Sequence, residues 1–383
     1  MSDSPQNGPI LVVIGTRPEA VKLAPVVQEL RRRGTREVVV CHSGQHQDLF
    51  ADAIGSFGLA ADVALDTMAA GQSLPALHGR LFTAFGELLE RVRPGTMLVQ
   101  GDTATVAVAG WAAFLSRVEV AHVEAGLRSG DKWQPFPEEV NRRITSVVAD
   151  WHFAPTPGAV DNLLREHLPA SHVVLTGNTV VDALLYLEQQ LAGAPPPLGL
   201  DPARPIMLVT AHRRENFGPG LLDICAAVRR IAVAHPALQI VVPVHPNPDV
   251  GATVHRELGG LPSVQLTAPL SYRDFVGVMV HATLALSDSG GVQEEGPCIG
   301  LPVLVMREVT ERPEGVAAGA ARLVGTDQTR IVHEVERLLT DPAAYASMAV
   351  RRTVYGDGLA SARIADILLE GRLMRPAFVP GVA

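Results

Sequence analysis

Cysteine is scarce in this 383-residue chain. Cys41, Cys225 and Cys298 form no CxxC pair, which argues against a disulfide framework or structural zinc site and fits a reducing compartment. Positive charge is also short: 32 basic residues face 40 acidic ones, a net charge of −8. That balance disfavours non-specific binding to nucleic acid or an anionic membrane, although one phosphate needs only a local cluster. Long apolar runs are missing as well. Thr103–Leu115 falls short of the roughly 20 residues a membrane span needs. The first nine residues carry no Lys or Arg, and the run Ile10–Ile14 stops at Gly15, so no secretory signal is expected and the expected location is the cytoplasm. Three catalytic signatures are absent too. The first strand–helix turn reads GTRPEA, not GxGxxG; no GK[ST] follows a glycine-rich loop; no HExxH occurs. Bound NAD, ATP hydrolysis and a metal each lose their main support, and no cofactor is expected.

What remains is a chain rich enough in apolar residues, at 47%, to exclude disorder, and long enough for two or three domains. Short β-branched runs alternate with helical patterns from end to end. Strands are expected at Ile10–Ile14, Glu37–Cys41, Met97–Gln100, Val118–His122 and His172–Thr176. A second series follows at Ile206–Thr210, Gln239–Pro243, Val264–Thr267, Leu284–Ser287 and Val303–Met306. Several lack polar alternation, as strands buried on both faces do. The expected class is α/β with parallel sheets. Residues 192–205 hold five prolines and no periodicity and read as a linker. They would separate an N-terminal domain (1–191) from a C-terminal one (206–356). The proline-rich tail from Arg375 is expected to be loose.

In doubly wound sheets ligands sit beyond the carboxyl ends of strands. After the first strand a tight turn enters a helix with Arg17 and Lys22 near its start, an arrangement suited to an anion. Ser289-Gly290-Gly291 follows the strand Leu284–Ser287, where paired glycines let backbone amides approach phosphate oxygens. Glu294 and Glu295 just beyond suit sugar hydroxyls better than phosphate. Asp102, Glu124 and the pair Glu138–Glu139 lie at strand ends of the first half. Acid–base chemistry on a sugar carbon calls for several carboxylates in different environments. His212 directly follows the strand Ile206–Thr210.

GTRPEAVKLAPVV, GDTATV, HVEAGLRSGDKWQPFPEEVNR, AHRREN, SDSGGVQEEGPCIGLPVLV, TERPEG and YGDG occur in an order and spacing that resemble the non-hydrolysing UDP-N-acetylglucosamine 2-epimerases over about residues 9–372. The resemblance implies two Rossmann-like domains facing across a cleft, the GT-B arrangement, with a last helix, about 357–373, packing back on the first domain. It implies a UDP-sugar substrate, a homodimer and a place in polysaccharide biosynthesis. By the same resemblance Asp102, Glu124 and Glu138 match active-site carboxylates, His212 an active-site histidine, and Arg17 and Lys22 anion contacts. Phe275 would lie beside the uracil, Ser289, Gly290 and Gly291 would form the phosphate loop, Glu295 would bind ribose and Arg312 the diphosphate. Two departures, Gly71 and the Ser43-Gly44-Gln45-His46 stretch, fall where some relatives carry a second, regulatory substrate site, so weakened substrate regulation is expected. A hydrolysing epimerase, an epimerase of a related UDP-sugar, a GT-B glycosyltransferase and a non-catalytic nucleotide-sugar binder stay open as alternatives.

Overall fold

A computed structural model describes residues 8–44, 47–69, 71–213 and 216–381. Thirteen strands in the described residues form two all-parallel sheets. The first contains β1 (Ile10–Ile14), β2 (Val38–His42), β3 (Val63–Ala64), β4 (Thr96–Gln100), β5 (Glu119–Val123), β6 (Trp151–Ala154) and β7 (Val173–Leu175). Its order is β3-β2-β1-β4-β5-β6-β7. The second contains β8 (Ile206–Thr210), β9 (Gln239–Pro243), β10 (Val264–Thr267), β11 (Leu284–Ser287), β12 (Val303–Val305) and β13 (Ala321–Leu323). Its order is β10-β9-β8-β11-β12-β13. In each sheet the first strand of its half sits inside and the winding reverses beside it. The topological switch points therefore lie between β1 and β4 and between β8 and β11.

The inner strands are buried on both faces, which is why they read as unbroken apolar runs; all five residues of β1, β4 and β8 are inaccessible or nearly so. Helices cover both faces. Arg17–Arg33 begins with Pro18 in its first turn, gathers Arg31, Arg32 and Arg33 in its last and stops at Gly34 in the left-handed conformation (φ 66°). Leu77, Leu81, Phe85 and Leu88 from helix Leu74–Val92 bury against Met97, Val99 and helix Ala104–Leu115. Each such side chain contributes roughly 1.5–3 kcal/mol through burial. Gly15 permits one close approach: a Cβ there would stand 2.6 Å from Thr105 Oγ1.

The chain divides into two compact units, Met1–Ala183 with Gly356–Val379 and Leu184–Tyr355 with Pro380–Ala383. The division falls inside helix Thr179–Gln190, ahead of residue 191, and residues 192–205 belong to the second unit, with a short 3₁₀ turn at Pro197–Gly199. Helix Ala360–Glu370 belongs to the first unit. Asp182 accepts from the Ser361 and Ala360 amides at its start (2.7 and 3.3 Å), and buried Asp366 takes Arg33 (2.7 Å) and Arg375 (2.8 Å). The tail is not loose. Phe378 is 1% exposed, its amide donates to the Leu175 carbonyl (3.1 Å), and Arg363 donates to the Pro376 carbonyl (2.8 Å). One buried aromatic outweighs a proline-rich composition.

Candidate active site

At the first switch point the carboxyl ends of β1, β4 and β5 bring charged groups together. Glu124 follows β5 in a left-handed backbone (φ 64°), uncommon for a residue with a Cβ. The turn sends its side chain back over Gly101. Lys22 Nζ donates to one carboxylate oxygen (2.6 Å), and the Gln100 amide donates to the other. Asp102, beyond β4, takes a guanidinium hydrogen bond from Arg142, and its carbonyl accepts from Asn141 (3.0 Å). Arg142 reaches Glu139 as well, at 3.4 Å. Glu139 is fully buried and accepts from the Ser129 amide (3.0 Å) and from Arg143 (3.2 Å), pinning the preceding loop. Glu138 is half-buried at the start of helix Glu138–Val148, one turn before Arg142 on the same face. Arg17 is the first residue of its helix.

Two further groups lie here. Glu19 folds back on its own turn, accepting from the Gly15 amide (2.6 Å) and the Thr16 hydroxyl (3.0 Å). Burial pushes its carboxyl up to about 7, although donors at Gly15, Thr103 and Thr16 pull the other way. His122 is buried with Nε2 2.7 Å from the Gly101 carbonyl, and burial drops it to about 3, so its ring is neutral. Arg128 of the HVEAGLR motif is a fastener: it holds Glu166 through two hydrogen bonds (2.7 and 2.8 Å) and Ser146 (2.9 Å).

At the second switch point β11 ends in Ser287, and Asp288, Ser289, Gly290 and Gly291 lead into helix Gly290–Ile299. The Ser289 side chain makes no capping hydrogen bond to that helix. A Cβ on Gly290 would stand 3.6 Å from the guanidinium groups of both Arg213 and Arg312, so the two cations flank the glycine. Arg312 is held by Glu294 (2.8 Å) and Glu311 (3.1 Å), and its carbonyl accepts from the Tyr355 hydroxyl (3.1 Å). Glu294 thus serves an arginine, and it lies beyond the first helical turn. Glu295 is buried and accepts from the Tyr272 hydroxyl (2.6 Å). Phe275, half-buried, sits one turn on from Ser271 in the helix Tyr272–His281.

His212 follows β8 with its side chain 39% exposed, and its Nδ1 lies 2.9 Å from the carboxylate of fully buried Asp288. The His245 ring lies parallel to it, 6.4 Å away. Burial, and then the neighbouring His212, hold His245 below the usual imidazole range. Burial opposes charge on Asp288, but hydrogen bonds from His212 and from the Arg213 and His212 amides outweigh it and hold the group below the usual carboxylate range. Arg214, Glu215, Gln45 and His46 lie outside the described residues. Gly71 has φ 67°, and among the described residues no atom lies within 4 Å of its Cβ position. Among the described residues no His, Cys, Asp or Glu side chains group as a metal ion would need, and no helix is long and apolar enough to cross a membrane.

The sheets bring Glu19, Lys22, Asp102, Glu124 and Arg142 together in one unit, and His212, Asp288, Gly290 and Arg312 in the other. Comparison with known proteins identifies the family. The family model described as UDP-N-acetylglucosamine 2-epimerase matches residues 28–369. The UDP-N-acetylglucosamine 2-epimerase of Escherichia coli K12 is 45% identical over 372 residues, covering 95% of this chain and 99% of its own. The UDP-GlcNAc 2-epimerase of Neisseria meningitidis, solved bound to UDP-GlcNAc, superposes with a TM-score of 0.89 at 40% identity, covering 94% of this chain and all of its own. That of Methanocaldococcus jannaschii, solved with UDP-GlcNAc and UDP, gives 0.80 at 29% identity, covering 95% of this chain and 100% of its own.

Proposed function

From the premise that this chain belongs to the UDP-N-acetylglucosamine 2-epimerase family, we propose that it inverts C2 of UDP-N-acetylglucosamine without hydrolysis, giving UDP-N-acetylmannosamine. The observation that carries the reading is the division of chemistry between the units. Glu124 and Asp102, each paired with a cation, follow neighbouring strands in one, and a glycine-rich helix start lies beside Arg312 in the other.

C2 has no adjacent carbonyl, so its proton is not acidic enough for simple removal and return. Elimination resolves this. A carboxylate takes the C2 proton, the C1–O bond to the diphosphate breaks, a C1=C2 double bond forms, and UDP departs with the bond pair. The resulting 2-acetamidoglucal is protonated at C2 from the opposite face, and the diphosphate oxygen re-forms the bond to C1. Asp102, Glu124 and Glu138 are the acid–base candidates. Arg312, the amides of Gly290 and Gly291, and His212 would hold charge on the departing diphosphate, with Arg17 as a further cation. Lys22 is paired with Glu124 at 2.6 Å. Ser289 suits the same phosphate loop, Glu295 a ribose hydroxyl and Phe275 the uracil face.

Incubation with UDP-N-acetylglucosamine in deuterated water tests the reading. Deuterium at C2 of both UDP-sugars with no free sugar supports it. Release of free N-acetylmannosamine would identify the hydrolysing reaction, and transfer to an acceptor without C2 exchange would identify a glycosyltransferase.

The proposal includes a homodimer. Helices Leu74–Val92, Ala104–Leu115 and Glu138–Val148 lie side by side and expose Phe82, Trp111, Phe114, Ile144 and Val147, the last 79% accessible. Trp111 and Phe114 stack at 5.6 Å. A contiguous apolar face of this kind marks an interaction surface. Sedimentation of Trp111→Asp beside the unaltered protein reads it: a dimer that becomes a monomer supports the assignment, and a monomeric unaltered protein refutes it.

A further inference from the structure

Asp288 has no place in the scheme above, yet it is fully buried and charged, and it bonds both the ring and the amide of His212, a residue of that scheme. β8 and β11 are neighbours, paired Thr210 to Ser287, so the residues following them emerge side by side. The Thr210 and Ser287 hydroxyls bond at 2.6 Å and tie the two strand ends together. One carboxylate oxygen of Asp288 lies 2.9 Å from His212 Nδ1 and 3.1 Å from the His212 amide. The other accepts from the His212 amide (2.9 Å), the Arg213 amide (2.9 Å) and the Asn216 side chain (3.0 Å). The Asn216 amide donates to the Met306 carbonyl as well (3.2 Å), anchoring the far side of the cluster to the end of β12. An ionised carboxylate can only accept, so Nδ1 must carry a hydrogen.

We propose that Asp288 is the positioning residue for His212: it fixes the imidazole with Nδ1–H bound to the carboxylate, so that a proton taken up at Nε2 is the one donated to the departing diphosphate. The proposal rests on the reading of His212 given above. Its physical content is orientation and tautomer. A histidine on a partly exposed loop would otherwise sample rotamers and share its proton between two nitrogens. A buried, fully bonded acid on a rigid strand end removes both freedoms, as carboxylates behind reacting or metal-bound histidines do.

Asp288→Asn tests it. The Asn oxygen would still accept the two backbone amides, while its NH₂ would face Nδ1 and hold that nitrogen unprotonated, so the ring could not carry both hydrogens. Turnover should fall about 10²–10⁴-fold, the range expected when a positioned proton-handling group is misdirected, with UDP affinity by calorimetry essentially unchanged. Near-wild-type kcat would overturn the proposal. Should the variant fail to fold, the unaltered protein still decides: ¹⁵N-histidine NMR, with the His212 resonances assigned by their loss in His212→Asn, must show Nδ1 protonated, and an unprotonated Nδ1 overturns the assignment. Turnover of His212→Asn separates the two readings. Full activity there removes His212 from the reaction and the proposal with it. Loss there with full activity in Asp288→Asn overturns the positioning role alone.

Discussion

The two switch points share one topology and use it in opposite ways. In both, a strand ends, a tight turn follows, and a helix starts with its amides aimed at the carboxyl edge of the sheet. After β1 the protein occupies that region itself: Glu19, in the first turn of the helix, bends back onto the Gly15 amide and the Thr16 hydroxyl. After β11 the Ser289 side chain makes no cap, two glycines form the helix start, and arginines flank it. The helix dipole offers each start the same partial positive charge. A built-in acid occupies the first start, and at the second the sequence places two glycines. The comparison shows how a duplicated architecture supports two tasks. The unit whose turn is filled by its own acid is the one crowded with paired carboxylates. The unit whose turn is left to glycine is the one suited to a phosphate.

The sharpest way to break this comparison is to remove one acid from the first unit and ask whether binding notices. Glu124→Gln keeps shape and hydrogen-bonding capacity but removes the basic oxygen between Lys22 and Gln100. Proton exchange at C2 should drop about 10²–10⁴-fold, with UDP affinity intact. A loss that falls instead on affinity would mean that Glu124 holds ligand rather than moving a proton. The reciprocal change is Arg312→Ala. Charge-assisted phosphate contacts are worth about 1.5–3 kcal/mol, so UDP binding should weaken roughly ten- to a hundredfold. Unchanged affinity by calorimetry would remove Arg312 from the site. Initial rates should depend hyperbolically on substrate, as the glycine at position 71 suggests; a sigmoidal curve would show a second site at work.

The strand-end residues carrying these predictions were legible because they are local. A β-branched run followed by a glycine turn and an acid or histidine marks the edge of a parallel sheet, and β1, β8, β9, β10 and β11 run as the pattern indicates. Three strands were not legible. β6 reads Trp-His-Phe-Ala, without a β-branched residue; β3 has two residues; β13 carries Arg322 at its centre. The partners of the site were hidden for a different reason. Asp288 meets His212 across 76 positions, Arg142 meets Asp102 across 40 and Lys22 meets Glu124 across 102. No periodicity encodes such pairs; the sheet order creates them. Glu138 and Glu139 illustrate the limit within a single helix turn. Adjacent acids look alike in sequence, and only the direction of the helix decides that Glu139 is buried against its own loop while Glu138 stays half-exposed.

The filled turn also has a pH signature of its own. Glu19 ionises near 7 in the folded protein, against 4.5 for a glutamate in its ordinary setting, and burial is the chief cause. Below pH 4.5 the carboxyl is protonated in both folded and unfolded chains and has no effect on their balance. Between about 4.5 and 7 the unfolded chain releases the proton while the folded protein keeps it, so stability falls as pH rises. Above 7 both forms are ionised and the loss is complete, at most about 3 kcal/mol from the separation of the two values. Glu19→Gln removes the titration and keeps an acceptor for the Gly15 amide. The stability difference between this variant and the unaltered protein, from urea denaturation at pH 5 and pH 8, should therefore move in favour of the glutamine as pH rises. A difference that stays constant across that range would show that Glu19 is already ionised in the fold, with the turn's donors outweighing its burial. The first switch point would then hold a fixed negative charge where this account places a neutral acid.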